Sequence, residues 1–481
     1  MPTSTTLTTT TPSTLTSATT PTHVPPATVT LRVGQPVPSA TAAHFTQNQN
    51  ENKNQAENQN LKQNQIANQT QQPRAAPVTN ATYPVGPLVD LPTLPARRRL
   101  APEQDWFAPL GIQVGAFLLR PALEVTGAYD TNPARVAHGT PSWYAIVAPE
   151  LFVNSNWARH ELTASLRGSY IAYATAPELD RPSADAKVNG RIDITPWTRA
   201  DLEGRFLLGT DNPGSPNIQA GLKRLPIFTT LGGSARIGQR FNRFDFALKG
   251  SVDRTVYQQS VFTDGSTESN ADRNYNRYLA EFKAGYEVMP GVRPFMESDA
   301  DRRVRDLEAD RNGVQRDSVG FYVKGGTTFD VSRTFTADAA VGWITRSYQD
   351  PTLPRISGLT IDGSLTWLAS ALTTVKLTAL TKVDESTLVG VAGVFTREVS
   401  LQVDHAFRRW LIATGRFTYA NDDYVGSPRD DNRYAASALL TYKLTQEVWL
   451  KAEYRHEWLR SNQPGNDYDA DVFLLGVRLA R

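Results

Sequence analysis

Charged side chains recur at every second position in several segments of this chain. In EVWLKAEYRHEW, residues 447–458, Lys451 and Glu453 alternate with Leu450 and Ala452. Period-two alternation is the pattern of a β-strand whose two faces meet different environments. Opposite charges on neighbouring strands can pair across one of these faces, and water must reach the charges that do not pair. The first chemistry that these residue types offer is therefore that of a wetted, ion-paired wall.

The same alternation, followed through other segments, predicts which residues lie on the charged side of that wall. If strands of this kind close into a barrel within a membrane, the charged side borders the lumen of the barrel and the apolar side meets lipid. The predicted lumen-facing residues are then Lys187, Arg191, Asp193, Glu203, Arg205, Lys249, Glu281, Lys283, Lys451, Glu453, Arg455, Glu457 and Arg478. A charge on the lipid side would cost roughly 2–4 kcal/mol near the bilayer midplane. Because the two signs are balanced and interleaved, the pattern favours a water-filled passage for neutral or polar solutes over a strongly ion-selective pore. For each residue, the alternative is that it only solvates and braces the wall.

Residues for catalysis or for a cofactor are sparse. The chain has no cysteine, which excludes disulfides, zinc–thiolate sites, iron–sulfur clusters and a cysteine nucleophile. Its six histidines form no HExxH pattern, and no nucleophile elbow is present. We therefore expect no enzyme activity and no cofactor. A Ser/His/Asp triad assembled across strands stays open as an alternative, because triads are geometric and not sequential.

One acidic segment, NDYDADV, could bind a cation. Asp467, Asp469 and Asp471 follow one another closely, and carboxylate oxygens are ligands that Ca²⁺ takes. The alternative is a solvated acidic loop, which is the interpretation that we favour. No metal site is therefore predicted.

Charge and hydropathy exclude two further classes. The 481 residues carry a formal charge of +2, so nothing argues for a nucleic-acid partner. No run of about 18 consecutive apolar residues is present, so no transmembrane helix is expected.

The segments that position the charges are connected in two alternating ways. Short connections occur at NSNWA, TPWT, QRFNR, VMPGV, DVSR, LASAL, HAFRRW and LTQE, and longer polar connections separate them. Eight short turns give sixteen paired strands, and one strand at each end raises the total to about eighteen. The sequence therefore predicts an all-β fold, a single transmembrane antiparallel β-barrel of about 18 strands.

Further details of the barrel are predicted as well. On the loop side, DEST (residues 384–387) is expected to be brief and NDDYVGSPRDDN (residues 421–432) to be a longer polar loop. No single loop stands out as long enough to fold into the barrel as a constriction. Tyrosine and tryptophan residues gather at both ends of the strands, as in the aromatic belts of membrane barrels. The last strand, 472–481, would pair with the first and leave no open edge.

The N-terminal part differs in composition from the rest. Residues 1–105 are rich in Thr and Pro and then in Asn and Gln, so we expect a disordered low-complexity extension before a barrel domain at 106–481. The alternative is that residues 1–105 form a segment that binds a periplasmic partner. A basic stretch followed by an apolar stretch, as in a secretory signal, is missing at Met1. This absence counts against an exported protein.

Two stretches carry a resemblance to a known family. PLGIQVGAFLLRPALEVTGAYDTNP, near the start of the barrel region, and VFLLGVRLAR, at its end, resemble the outer-membrane β-barrel porin family called β-barrel porin 2. The resemblance covers roughly Pro109 to Arg481. It implies a barrel among the outer-membrane lipids of a Gram-negative bacterium more than it implies a substrate. The chain departs from the wider class of outer-membrane barrels because it ends in Arg481 and not in an aromatic residue.

Two functions are compatible with these observations. The first is a porin-like channel for the passive passage of small polar solutes, because about eighteen strands leave room for an aqueous channel. The second is a structural or export component, for example of surface-polysaccharide secretion, whose N-terminal tail binds periplasmic partners. Single-channel conductance with and without residues 1–105 would separate the two.

Overall fold

The structure is a computed structural model, and it describes residues 107–330, 332 and 334–481. Within this part of the chain, nineteen strands form one antiparallel sheet and three short strands form another. The predicted disordered extension at 1–105 lies outside the described residues. None of the helices described is long and apolar enough to cross a membrane.

The large sheet closes on itself. One of its nineteen strands, Ile112–Val114, pairs only with the strand that follows it. The other eighteen form a barrel, because the last strand pairs with the first from Asp130↔Val472 to Ala122↔Ala480. The predicted all-β barrel of about 18 strands is therefore confirmed, and its closure leaves no edge in the bilayer.

Long strands make up most of the described chain. The first nine barrel strands are β1 (Phe117–Asp130), β2 (Ser142–Ser155), β3 (Glu161–Tyr173), β4 (Arg181–Asp193), β5 (Thr198–Thr210), β6 (Ile227–Phe241), β7 (Phe244–Tyr257), β8 (Tyr275–Tyr286) and β9 (Val292–Arg305). The other nine are β10 (Ser318–Phe329), β11 (Phe335–Tyr348), β12 (Ile356–Ser370), β13 (Thr373–Asp384), β14 (Gly393–Arg408), β15 (Leu411–Val425), β16 (Asp430–Lys443), β17 (Val448–Ser461) and β18 (Tyr468–Ala480). Even the shortest have 12 residues, which is enough for a tilted strand to cross a bilayer.

The two faces of each strand differ in burial as the alternation predicts. Along β17, the side chains of Leu450 and Tyr454 are 38% and 43% exposed, whereas Lys451 and Arg455 between them are 6% and 3% exposed. Large apolar side chains are exposed in the same way on the other barrel strands. These apolar side chains form the face that meets lipid. We call the opposite face, which carries Lys451 and Arg455, the charged face.

Short turns join the strands at one end of the barrel and longer loops join them at the other, with two departures from the prediction. The segment expected as a long loop is mostly strand, since β15 and β16 are joined by 426–429 alone and Asn421 pairs with Asn432. Conversely, the connection at DEST extends over 385–392. The prediction failed because polar composition indicates only that a segment contacts water. A strand that extends beyond the bilayer is as polar as a loop.

Candidate functional site

Ion pairs cover most of the charged face. The predicted lumen-facing residues pair as follows: Arg191 with Glu161 and Asp193, Arg205 with Glu203 and Asp253, Lys249 with Glu281, Lys283 with Glu297, Lys451 with Glu124, Arg455 with Glu453 and Glu457, and Arg478 with Glu124 and Glu150. Lys187 differs from the rest of the set, since it makes no ion pair with any described residue. Contact of these side chains with a solute stays a prediction.

The closing strands are tied together by charge as well as by backbone hydrogen bonds. Lys451 on β17 reaches past β18 to Glu124 on β1, with 2.6 Å between Nζ and Oε2. Arg478 on β18 reaches Glu150 on β2 with 2.7 Å between Nη1 and Oε2. Both ion pairs are mostly buried, so solvent screens them less than it screens surface pairs.

In two of the ion pairs that join non-adjacent strands, a glycine on the intervening strand makes room for the two side chains. Gly232 on β6 stands in register between Arg205 on β5 and Asp253 on β7. The guanidinium and the carboxylate meet over it, with 2.6 Å between Nη2 and Oδ1. A Cβ atom at Gly232 would lie 2.0 Å from Asp253 Oδ1 and 3.0 Å from Arg205 Nε. The pair therefore depends on the missing side chain.

The same arrangement recurs four strands further along the sheet. Gly320 on β10 lies in register between Asp301 on β9 and Arg346 on β11. Arg346 Nη2 approaches Asp301 Oδ1 to 2.6 Å, and neither side chain is accessible to solvent. A Cβ atom at Gly320 would lie 2.4 Å from that carboxylate oxygen. Sequence reasoning missed both glycines; a glycine in register between opposite charges is the signal that could have identified them.

One long loop crosses the loop-side mouth of the barrel. The bridging loop, 211–226, joins β5 to β6, and the anchor loop, 385–392, joins β13 to β14. Eight strands, β6 to β13, lie between them on one side, and the remaining ten lie on the other. Even so, the backbone N–H and the hydroxyl of Thr387 both donate to Asn217 Oδ1 at 3.1 Å. Loop length did not predict this contact across the mouth, and the expectation that no loop folds into the barrel as a constriction stays a prediction.

The bridging loop is also held near its origin. Arg273, between β7 and β8, binds Asp211 through two hydrogen bonds of 2.8 and 3.1 Å. A three-residue strand within the bridging loop, Leu222–Arg224, pairs with Ser260–Phe262. Gly214, at φ +80°, passes so close to Arg135 that a Cβ atom there would lie 2.8 Å from Arg135 Cβ. The loop therefore has fixed contacts on both sides of the mouth.

Arginines hold the anchor loop in place. Arg316 donates to the carbonyl oxygens of Leu388 and Val391 at 2.9 Å each, and its Nε donates to Asp310 at 2.6 Å. Glu385 accepts hydrogen bonds from Arg303 and Arg305 at the end of β9. Burial alone would raise the pKa of Glu385, but the charges of Arg303 and Arg305 lower it to about 2. The carboxylate is therefore ionised at neutral pH, where it binds both guanidinium groups.

A small cavity of about 230 Å³ lies among these loops. Asn217 and Arg273 line it together with Arg311, Thr387 and Leu388. Arg311 is already committed, because it binds Asp272 with 2.8 Å between Nε and Oδ2. Burial alone would raise the pKa of Asp272, but hydrogen bonds and charge from Arg311 lower it. The cavity is thus a gap within an ion-paired loop cluster.

The acidic segment considered as a cation site is engaged with other partners. Asp469 pairs with Arg460, with 2.8 Å between Oδ1 and Nη2. Asp471 contacts His456 Nδ1 at 2.8 Å and accepts a hydrogen bond from the Tyr454 hydroxyl at 2.8 Å. Within the described ranges, no group of three or more His, Asp or Glu side chains is arranged to hold a metal ion.

Comparison with known proteins identifies a family whose model matches most of the chain. A family model described as Putative beta-barrel porin 2 matches residues 105–481. No curated protein matches the sequence. Among solved structures, OpdK from Pseudomonas aeruginosa is 11% identical with a TM-score of 0.40, and the match covers 76% of this chain and 99% of that chain. A BenF-like porin from Pseudomonas fluorescens is 11% identical with a TM-score of 0.39, covering 76% and 99%. Neither structural similarity is strong enough to support an argument.

Proposed function

Since the chain belongs to the β-barrel porin 2 family, whose members are porin-like channels for small solutes in the Gram-negative outer membrane, we propose a path for those solutes. Polar solutes cross the barrel along the charged face. In a closed barrel whose apolar face meets lipid, the charged face borders the lumen. Its interleaved ion pairs present both signs to a passing solute, so neutral polar molecules find hydrogen-bond partners without meeting a barrier of one sign.

The observation that carries this proposal furthest is the bridging loop across the mouth. A solute that enters from the cell exterior has to pass beside the contact between Asn217 and Thr387. The loop would therefore set the upper size of the solutes, while the ion-paired wall keeps the passage wet. The alternative function, a structural or export component, has no observation in its favour among the described residues. The proposed periplasmic partner concerns 1–105, outside those residues.

Conductance of the purified full chain in planar bilayers tests the channel itself. We expect ohmic single-channel currents in KCl and swelling of liposomes in small neutral sugars. A variant without residues 214–220, whose ends are joined through two glycines, tests the role of the bridging loop. We expect it to conduct more and to admit larger sugars, because the loop no longer crosses the mouth.

A similar shortening of the 462–467 loop serves as the matched control. Asn462 in that loop binds the carbonyl oxygen of Pro428 in the adjacent loop, so its contacts stay local. An intact barrel that carries no ion current would refute the channel. Equal sugar cut-offs in the two shortened variants would refute the role of the bridging loop.

A further inference from the structure

Three cations within one stretch of four strands of the charged face make no ion pair, unlike most other cations of this face. They are Arg120 on β1, Arg167 on β3 and Lys187 on β4, and none forms an ion pair with a described residue. We call them the basic patch. Arg120 Nε is buried and has no hydrogen-bond acceptor. A buried donor of this kind is stabilised when an acceptor reaches it.

The strand register brings the three cations together. Arg120 pairs in register with Phe152, Phe152 with Ser165, and Ser165 with Lys187. Neighbouring strands are about 4.8 Å apart, so the Cα atoms of Arg120 and Lys187 are about 14 Å apart along this row. Arg167 lies two residues along β3 from Ser165 and is therefore diagonal to Lys187, and diagonal neighbours on adjacent strands are about 7–8 Å apart. The three cations therefore lie close together on the charged face, where the carboxylates of Glu150 and Asp185 flank Arg167.

Arg167 is held in place without being neutralised. Its guanidinium carbon lies over the ring of Phe152, 5.3 Å from the ring centroid. Asp185 stands opposite Arg167 in the register of β4, yet the two side chains make no ion pair. Glu150 stands opposite on β2 and is bound by Arg478 at 2.7 Å. Asp185 therefore attracts Arg167 without forming an ion pair with it, and Glu150 is bound by Arg478.

We propose that the basic patch is a binding site for small dicarboxylates on the path through the barrel. Guanidinium groups present a planar fork that matches carboxylate oxygens, and a lysine adds a mobile point charge. The cations lie on three strands within a stretch of four, so two separated carboxylates fit them better than one compact anion does. This inference rests on the proposed function, because the ligand has to enter the lumen to reach the patch.

Block of single-channel current by succinate tests the site on the full-length protein. In the wild type, we expect succinate to interrupt the KCl current in discrete events and neutral glycerol not to do so. In the double variant Arg120→Gln, Arg167→Gln we expect the apparent affinity for succinate to fall about tenfold, because two charge-assisted contacts are lost.

The control variant removes two cations that are already paired. Arg199 binds Asp201 at 3.0 Å and Lys376 binds Asp404 at 3.2 Å, so Arg199→Gln, Lys376→Gln changes the wall charge by the same amount. We expect the control to keep its succinate block. Equal loss of block in both double variants would overturn the site, because the effect would then follow net charge alone. Block by inorganic phosphate as strong as by succinate would overturn the dicarboxylate assignment.

These outcomes separate the site from the channel. If the wild type carries no KCl current, the proposed function is refuted, and the binding site on the path through the barrel is refuted with it. If the current is present but succinate does not block the wild type, or blocks the Arg120→Gln, Arg167→Gln variant as strongly as the wild type, the channel stands and the basic patch is not a binding site.

Discussion

Two walls of this barrel use charge in different ways. On β5–β11, which we call the paired wall, Arg205 and Arg346 reach their carboxylates over glycines on the strand between. On β1–β4, Arg120 and Lys187 carry the same kind of charge and make no ion pair with a described residue. Both walls show the same alternation of charged and apolar residues. Alternation alone therefore does not distinguish a cation that forms an ion pair from one that does not.

The difference lies in what stands two strands away. When a carboxylate lies two strands away from a cation and the residue in register between them is glycine, the two side chains can form an ion pair. Both charges then lose their hydration. The row of Arg120 has Phe152 and Ser165 at the corresponding positions, and neither carries a compensating charge. Removing one partner of a pair in the paired wall therefore leaves the other charge buried without it, whereas the basic patch keeps its charge for a ligand.

The largest effect should come from removing a cation of the paired wall. Arg346→Gln leaves Asp301 inaccessible to solvent without its closest cation, while Arg277 and Arg303 remain 3.4 and 3.7 Å from it. We therefore expect the free energy of unfolding to fall by about 3 kcal/mol, the lower end of the range for a broken buried ion pair. Arg120→Gln removes the same charge where no ion pair is lost, so we expect little change. Urea unfolding in lipid vesicles measures both. Equal losses in the two variants would abolish the distinction between the walls.

The glycine between two paired charges should matter nearly as much. Gly232→Ala puts a methyl group where Asp253 Oδ1 and Arg205 Nε now meet, and we expect a loss of about 1.5–3 kcal/mol as their hydrogen bonds are displaced. Gly204→Ala on β5 is the control, because no atom lies within 4 Å of its added Cβ. If both variants unfold at the wild-type urea concentration, the glycine gap is not what permits the pair.

The paired wall extends into the anchor loop through Glu385, and this extension should depend on pH. The pKa of Glu385 is lowered from 4.5 to about 2. A depressed carboxyl pKa stabilises the folded loop above the unfolded pKa, and the stabilisation is lost as the pH falls from about 4.5 towards 2. We expect less than about 2 kcal/mol, because the side chain is partly exposed and solvent screens it.

A spin label on the exposed Val389 of the anchor loop reports this loss. The chain has no cysteine of its own, so Val389→Cys gives a single labelling site. Mobility of the label should rise as the pH is lowered from 6 to 3. With Glu385→Gln added, the label should be mobile at every pH. A pH response that survives Glu385→Gln would assign the titration to another group.

The smallest effect should come from turning the basic patch into a paired wall. Ser165 lies directly opposite Lys187, so Ser165→Glu supplies the carboxylate that the row lacks. A cross-strand pair of opposite charge stabilises a sheet by about 0.2–1 kcal/mol. We expect that gain in urea unfolding together with weaker succinate block, whereas the uncharged Ser165→Gln should show neither. A loss of stability in Ser165→Glu would mean that Lys187 is already compensated.

Sequence reasoning recovered the barrel and its strand count but not the organisation of its mouth. Alternation such as that of Leu450 and Lys451 is a local property, and it follows from the geometry of one strand. The contact of Asn217 with Thr387 joins residues on opposite sides of a closed sheet. No local pattern contains that information, and polar composition even reversed the lengths of two connections, at 385–392 and 426–429.

The sequence by itself determined that strands alternate between lipid and water and that their ends can meet, because period-two patterning and turn spacing are written along the chain. Only the tertiary structure decided which charges are neutralised. Arg205 and Lys187 look alike in sequence, but register places Asp253 within reach of the first over Gly232 and places Ser165 beside the second. Register is fixed by the closure of the whole sheet, so the partner of a charge depends on residues far from it in the chain.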